Sequence, residues 1–262
     1  MPRVSVSYDN HIAHVRLTRP DKMNAVDQKM IDAVIAAGQE VAASDARVAV
    51  ISGEGRAFCA GIDISGLSAM AGQNPAELLM PRTHAEGTTN QWQEVAMIWH
   101  RLEVPVIAAL HGAVYGAGLQ LALGADIRIA APDAKLAIME MKWGIVPDMG
   151  SMVVLPHLLR SDVLRRLTYT AEPVSAEQSE RWGLVTEIAE DPLEAALALA
   201  GVIAGKSPSA IRAAKALITQ AEEEGPAGIL EAESLAQSAL IGRPHQMEVI
   251  AAEFGKRAPQ FK

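Results

Sequence analysis

Val104-Pro105-Val106-Ile107-Ala108-Ala109-Leu110-His111-Gly112-Ala113-Val114-Tyr115-Gly116-Ala117-Gly118-Leu119-Gln120-Leu121-Ala122-Leu123-Gly124-Ala125 carries no charge from end to end. A run of this length suffices for a membrane-spanning helix. Its interior argues against one. Pro105, His111, Gln120 and the glycines at 112, 116, 118 and 124 divide it into a buried strand over Val104–His111, a tight turn, and a buried helix over about Ala117–Leu123. A strand, a glycine turn and a helix, all apolar, are the parts of an α/β protein whose sheet is covered on both faces.

The same grammar extends outward in both directions. Val4–Tyr8 and Ile12–Thr18, separated around Asp9-Asn10, predict a β-hairpin. Asn24 stands where a helix cap would be. Val26, Met30, Val34 and Val41 then follow at helical spacing, which predicts an amphipathic helix over 25–43. Val48–Ser52 reads as a short buried strand, Gln91–Arg101 as a helix, and Ile127–Ala131 and Lys135–Ile138 as further strands. Residues 64–92 are polar and irregular, and are expected to form helices and a loop over a pocket. Beyond Pro192 the pattern is helical. Segments begin at Ser207-Pro208, near 227 and at Pro244, and Ser175-Ala176-Glu177-Gln178 resembles a capping box closed by Gly183.

Bulk properties narrow the function. The chain has 262 residues, half of them hydrophobic but only 4% aromatic, and a net charge of −8. That acidic balance disfavours a general nucleic-acid or anionic-membrane surface. The one cysteine, Cys59, leaves no intrachain disulfide and no cysteine-based metal site, and the seven histidines lack metal-ligand spacing. The N-terminus has no apolar signal core, so a cytoplasmic protein without metal or cofactor is expected.

Three side chains stand out as candidate chemistry. Glu140 and Asp148 lie eight positions apart in Met139-Glu140-Met141-Lys142-Trp143-Gly144-Ile145-Val146-Pro147-Asp148-Met149-Gly150, among apolar neighbours. Two acids in such surroundings can have their pKa values pushed apart, so that one gives a proton and the other takes one. Gln120 in the glycine-rich turn is a candidate third member. Structural roles fit the acids as well: Asp148 as the cap of the next helix, Glu140 as a surface partner of Lys142. Two further stretches, Ala60-Gly61-Ile62-Asp63 and Gly116-Ala117-Gly118-Leu119-Gln120, each sit between a strand and a helix. Backbone N–H groups at a helix start have no internal acceptor. Two of them converging would grip one carbonyl oxygen as an oxyanion hole.

These pieces, together with Leu17-Thr18-Arg19-Pro20-Asp21-Lys22-Met23-Asn24-Ala25, Phe58-Cys59-Ala60-Gly61-Ile62-Asp63, Ala125-Asp126-Ile127-Arg128-Ile129-Ala130 and Phe254-Gly255-Lys256-Arg257, resemble the crotonase (enoyl-CoA hydratase/isomerase) superfamily nearly end to end. The resemblance implies an α/β fold built as a spiral of ββα repeats over residues 1–195. It also implies a C-terminal helical region over 196–262 for self-association as a trimer or dimer of trimers, and acyl-CoA thioesters as substrates. It assigns the oxyanion-hole N–H groups to Ile62 and Ala117, and the CoA-binding edge to Arg19, Lys22, Ala25 and Ala60, with Lys256 and Arg257 reaching a neighbouring subunit's CoA. Asp63 is expected to cap a helix and Asp126 to satisfy buried backbone donors.

The chain departs from the hydratase pattern at two places. Of the two glutamates that hydratases use, the second matches Glu140, but the first falls on Gln120, which has no basic or acidic function. Asp148 stands where many hydratases carry Gly. A Glu/Asp pair at this spacing resembles the Δ3,5-Δ2,4-dienoyl-CoA isomerases, although those carry Asp at the Gln120 place. The same Asp place serves the 4-chlorobenzoyl-CoA dehalogenases, whose Trp at the Glu140 place is absent here. The resemblance thus implies double-bond isomerisation with Glu140 and Asp148 as proton shuttles, with hydration or dehydration through Glu140 as the alternative.

Overall fold

The computed structural model describes residues 2–63, 74–223 and 226–261. A six-stranded sheet is its spine. The hairpin pairs β1 (Val4–Asp9) with β2 (Ile12–Leu17) antiparallel, and Asn10 and His11, both at positive φ, form the turn. From β2 onward every neighbour is parallel: β3 (Val48–Gly53), β4 (Val106–Leu110), β6 (Ile127–Ala130) and β9 (Glu187–Ile188). β5 (Ala113–Tyr115) and β7 (Lys135–Ala137) run parallel in a second sheet that β8 (Val174–Ser175) closes antiparallel. The turn expected after β4 therefore contains a strand. The unit β4–β5–α4, with α4 at Ala117–Leu123, is a complete ββα repeat.

Both faces of the large sheet are covered, as its continuous apolar strands require. On one face lie α1 (Gln28–Ala42), α3 (Gln91–His100) and α4, around Phe58, Trp99, Leu110 and Leu121. Gly38 of α1 lets Ile98 come so close that a Cβ there would meet its Cδ1 at 2.7 Å. On the other face Ala196, Ala200 and Ala204 pack on Val48, Val50, Ile107, Ala109 and Ile129. Their spacing of four puts them on one stripe of α8 (Pro192–Ala204), and methyl groups allow close approach. The boundary expected at 195/196 falls inside this sheet-covering helix.

The shorter helices follow in order: α2 (Pro75–Leu79), α5 (Ser151–Leu158), α6 (Ser161–Thr170) and α7 (Ala176–Trp182). Ser175 caps α7 and Gly183 ends it at φ 91°, as the sequence predicts. α9 (Pro208–Glu223), α10 (Pro226–Leu240) and α11 (Pro244–Phe254) complete the chain. Asp126 accepts the Val106 N–H at 2.7 Å and pairs with Lys215 of α9 at 2.9 Å, tying this helix to the sheet. Among the described residues no helix is long and apolar enough to cross a membrane.

One expectation fails instructively. Asp27, not Asn24, caps α1, accepting the Met30 N–H at 2.8 Å. Asn24 is fully buried at φ 54°, a left-handed conformation that Asn tolerates better than most residues. Its amide donates to the carbonyls of Glu54, Ala57 and Phe58, and its oxygen accepts from Arg19 N–H. It is a hub between two distant loops rather than the end of a helix.

Candidate active site

The glycine-rich loops of the sequence meet in space. Cys59 N–H donates to Ala113 O at 3.1 Å and Tyr115 N–H donates to Cys59 O at 3.0 Å, so the two segments run side by side. Gly118 permits this approach, since a Cβ there would stand 2.3 Å from the Cys59 carbonyl oxygen. Gly61, at φ +98°, brings the next turn so near that its Cβ would lie 3.9 Å from the Ala117 nitrogen.

On the far side Val26 donates to Gly61 O and accepts from Asp63 N–H, both at 2.8 Å. This parallel bridge uses the atoms flanking Ile62 and leaves the Ile62 N–H outside the ladder. Ala117 opens α4, where the first N–H groups lack intrahelical acceptors. Among the described residues neither N–H has a hydrogen-bond acceptor.

Both residues line a cavity of about 710 Å³, and so do Gln120, Glu140 and Asp148. Glu140 begins a single 3₁₀ turn, Glu140–Trp143, ended by Gly144 at φ 70°. It is 6% exposed, which rules out a solvated pair with Lys142. Its Oε1 accepts from Gln120 Nε2 at 2.6 Å, and its Oε2 has no partner among the described residues. Burial pushes the Glu140 carboxyl above the usual range. Hydrogen bonds, including the one from Gln120, oppose that shift, and the charge of Asp148 adds to it.

Asp148 keeps contact with solvent across the cavity, yet partial desolvation raises its carboxyl too. It is not a cap: Gly150, at φ 88°, precedes α5 with no side-chain cap.

Gln120 is wholly committed to this arrangement. While its amide nitrogen serves Glu140, its oxygen accepts from Met149 N–H at 2.9 Å and from the Ser151 hydroxyl at 2.8 Å. These donors fix which end of the amide faces the carboxylate.

Of the residues expected at a CoA edge, Lys22, Ala25 and Ala60 line the cavity. Arg19 stands behind it, 8% exposed, bonded to Ala25 O at 2.8 Å and paired with Asp63 at 2.7 Å and Asp27 at 3.4 Å. The helix that Asp63 was expected to cap lies outside the described residues, as does the 64–73 part of the expected pocket loop. Lys256 and Arg257 are not in the lining, and Arg257 pairs with Glu248 at 2.6 Å. His111 makes a structural bond to Gly55 O at 3.0 Å.

Arg56 and Lys142 at the wall, and Ser151 behind it, join the site without having been singled out as functional, and Trp143 lines it beside them. No local signal marked Ser151, which reads as an ordinary first residue of a helix.

A family model described as enoyl-CoA hydratase/isomerase matches residues 7–262. A probable enoyl-CoA hydratase of Mycobacterium tuberculosis is 34% identical over 97% of this chain and 95% of its own. The human mitochondrial Δ(3,5)-Δ(2,4)-dienoyl-CoA isomerase is 32% identical over 80% of this chain and 66% of its own. The crystal structure of an enoyl-CoA hydratase from Bacillus anthracis superposes with a TM-score of 0.87 at 28% identity, covering 99% of both chains. The chain belongs to the enoyl-CoA hydratase/isomerase family and is an enzyme of the crotonase fold.

Proposed function

We propose that the protein isomerises double bonds of acyl-CoA thioesters, converting a 3,5-dienoyl to a 2,4-dienoyl group. The observation that carries this reading is the pairing of Glu140 and Asp148 in one cavity. Both carboxyls are raised, and the place of a hydratase's first glutamate is taken by an amide whose oxygen is already doubly bonded. The thioester oxygen sits on the N–H groups of Ile62 and Ala117. One carboxylate takes a proton from C2, and the electron pair moves through the conjugated system onto that oxygen. The other carboxyl delivers a proton to C6, the carbonyl re-forms, and the two acids re-exchange their proton through solvent. Two N–H donors aimed at developing negative charge stabilise the dienolate far more than the ground-state carbonyl.

Lys22, Arg56 and Lys142 at the cavity wall suit the phosphates of CoA, which enters as part of the substrate; no separate cofactor takes part. Exposed Ile218, Leu230, Leu235, Ile241 and Phe254 on or beside the C-terminal helices suit self-association as a trimer or dimer of trimers, in the cytoplasm. In that assembly Lys256 and Arg257 reach a neighbour's CoA.

The test is incubation with a 3,5-dienoyl-CoA while following 2,4-dienoyl-CoA absorbance. Absent turnover, with efficient hydration of a 2-enoyl-CoA, overturns the reading in favour of a hydratase working through Glu140. Relatives named as hydratases, matched over nearly the whole chain, favour that second reading.

A further inference from the structure

Gln120 can present either end of its amide to Glu140, and the two ends have opposite consequences. With nitrogen toward the carboxylate, Glu140 Oε1 is occupied as an acceptor. With oxygen toward it, Oε1 would face an acceptor and would have to carry the proton itself. The choice is made at the other end of the amide, where Met149 N–H and the Ser151 hydroxyl both donate to Gln120 Oε1 at 2.9 and 2.8 Å. The backbone N–H cannot reverse its role. The Ser151 hydroxyl adds the second donor that saturates both lone pairs of the amide oxygen. Ser151 is 1% exposed and Gln120 3%, so water does not substitute.

We propose that Ser151 is a positioning residue that acts through the Gln120 amide to hold the Glu140 carboxylate in one orientation and to set how readily it takes a proton. Oε1 holds the Gln120 N–H, while Oε2 is buried and has no partner among the described residues, so the Gln120 amide is the side-chain donor that orients the carboxylate. A carboxylate anchored through one oxygen meets the substrate carbon in one geometry.

This inference rests on Glu140 as the proton-transfer group. Other ionisable groups around it are Asp148, and Lys142 on its own turn, with Lys22, Arg56, Asp63 and Tyr115 across the cavity. The helix α6, packed against the turn, contributes only exposed Asp162, Arg165, Arg166 and Tyr169.

The test titrates the Glu140 carboxyl directly by carbon-13 NMR in glutamate-labelled protein, with the signal assigned by its loss in Glu140→Gln. No substrate is involved. Removing the Ser151 donor in Ser151→Ala weakens the Gln120 bond to the carboxylate, so the titration midpoint moves up. Gln120→Met, which removes the amide, moves it up further. Adding Ser151→Ala to Gln120→Met moves it no more, because Ser151 acts only through the amide. In turnover Ser151→Ala lowers kcat by up to about tenfold with KM unchanged, the scale of one hydrogen bond. An unmoved midpoint in Ser151→Ala, or a further shift in the double variant, overturns the proposal. Absent dienoyl isomerisation with these NMR shifts intact overturns the isomerase reading and leaves the relay standing.

Discussion

The two walls of the cavity are built on different principles. The wall formed by residues 58–63 and 113–118 is made of backbone, held by parallel bridges and by glycines that sit against carbonyl oxygens. At the cavity it places the N–H donors of Ile62 and Ala117, and nearly any side chain there supplies the same donor. The wall formed by residues 139–151 is made of side chains. Glu140 is buried and anchored, while Met141, Trp143, Ile145 and Val146 around it are exposed. On the proposed reading the first wall grips a carbonyl whatever the reaction. On the same reading the second decides which protons move, and Asp148 there is a departure from the hydratase pattern that the sequence resemblance implies.

The contrast can be broken most severely at the backbone wall. Gly118→Ala places a Cβ 2.3 Å from the Cys59 carbonyl oxygen, which has no flexible end to yield. The expected cost is about 3 kcal/mol in urea unfolding, with all acyl-CoA chemistry lost. A stable, active variant would show that the two loops need not touch.

Glu140→Gln and Asp148→Asn keep shape and remove only the proton-transfer capacity. Each should cut isomerisation by about 10²–10⁴ while CoA-thioester binding, followed by calorimetry, survives. Equal loss of binding would mean these side chains hold the fold or the ligand instead. Gln120→Glu sharpens the comparison further. It restores the hydratase's pair of glutamates and should raise hydration relative to isomerisation, read as a ratio on the same enzyme preparation. An unchanged ratio would count against the importance of that position.

The smallest effect concerns pH and stability. The Glu140 carboxyl is raised above its ordinary value of 4.5, chiefly by burial. A raised acid contributes stability that is fully present below its unfolded pKa and is lost as pH rises through the folded one. Wild type should therefore lose thermal stability relative to Glu140→Gln as pH climbs above 4.5. Parallel melting curves for the two proteins would refute the burial argument. The same raised values place the activity maximum above the pH at which free carboxylates titrate.

Much of the fold was legible in sequence because it depends on local periodicity. The β4 strand, the α4 helix and the Ser175 cap all follow from spacing and turn chemistry within a few residues. Asn24 was misread because its partners Glu54, Ala57 and Phe58 lie about thirty positions away, and a polar residue ahead of a helical pattern looks like a cap whichever bonds it makes. The β5 strand was hidden by the glycines around it, Gly112, Gly116 and Gly118, which mark turns in isolation, although Gly112 and Gly118 here admit the 56–59 segment.

The order of motifs along the chain, and with it the family, was determined by sequence alone. So was the replacement of a glutamate by Gln120, since the identity of a residue limits its chemistry wherever it lies. Only the tertiary structure decided that Glu140 is buried rather than paired with Lys142, that Gln120 points its nitrogen toward it, and that Ser151 stands behind both. Those facts come from burial and from hydrogen bonds across 20 to 31 positions of chain, and local pattern carries no record of either.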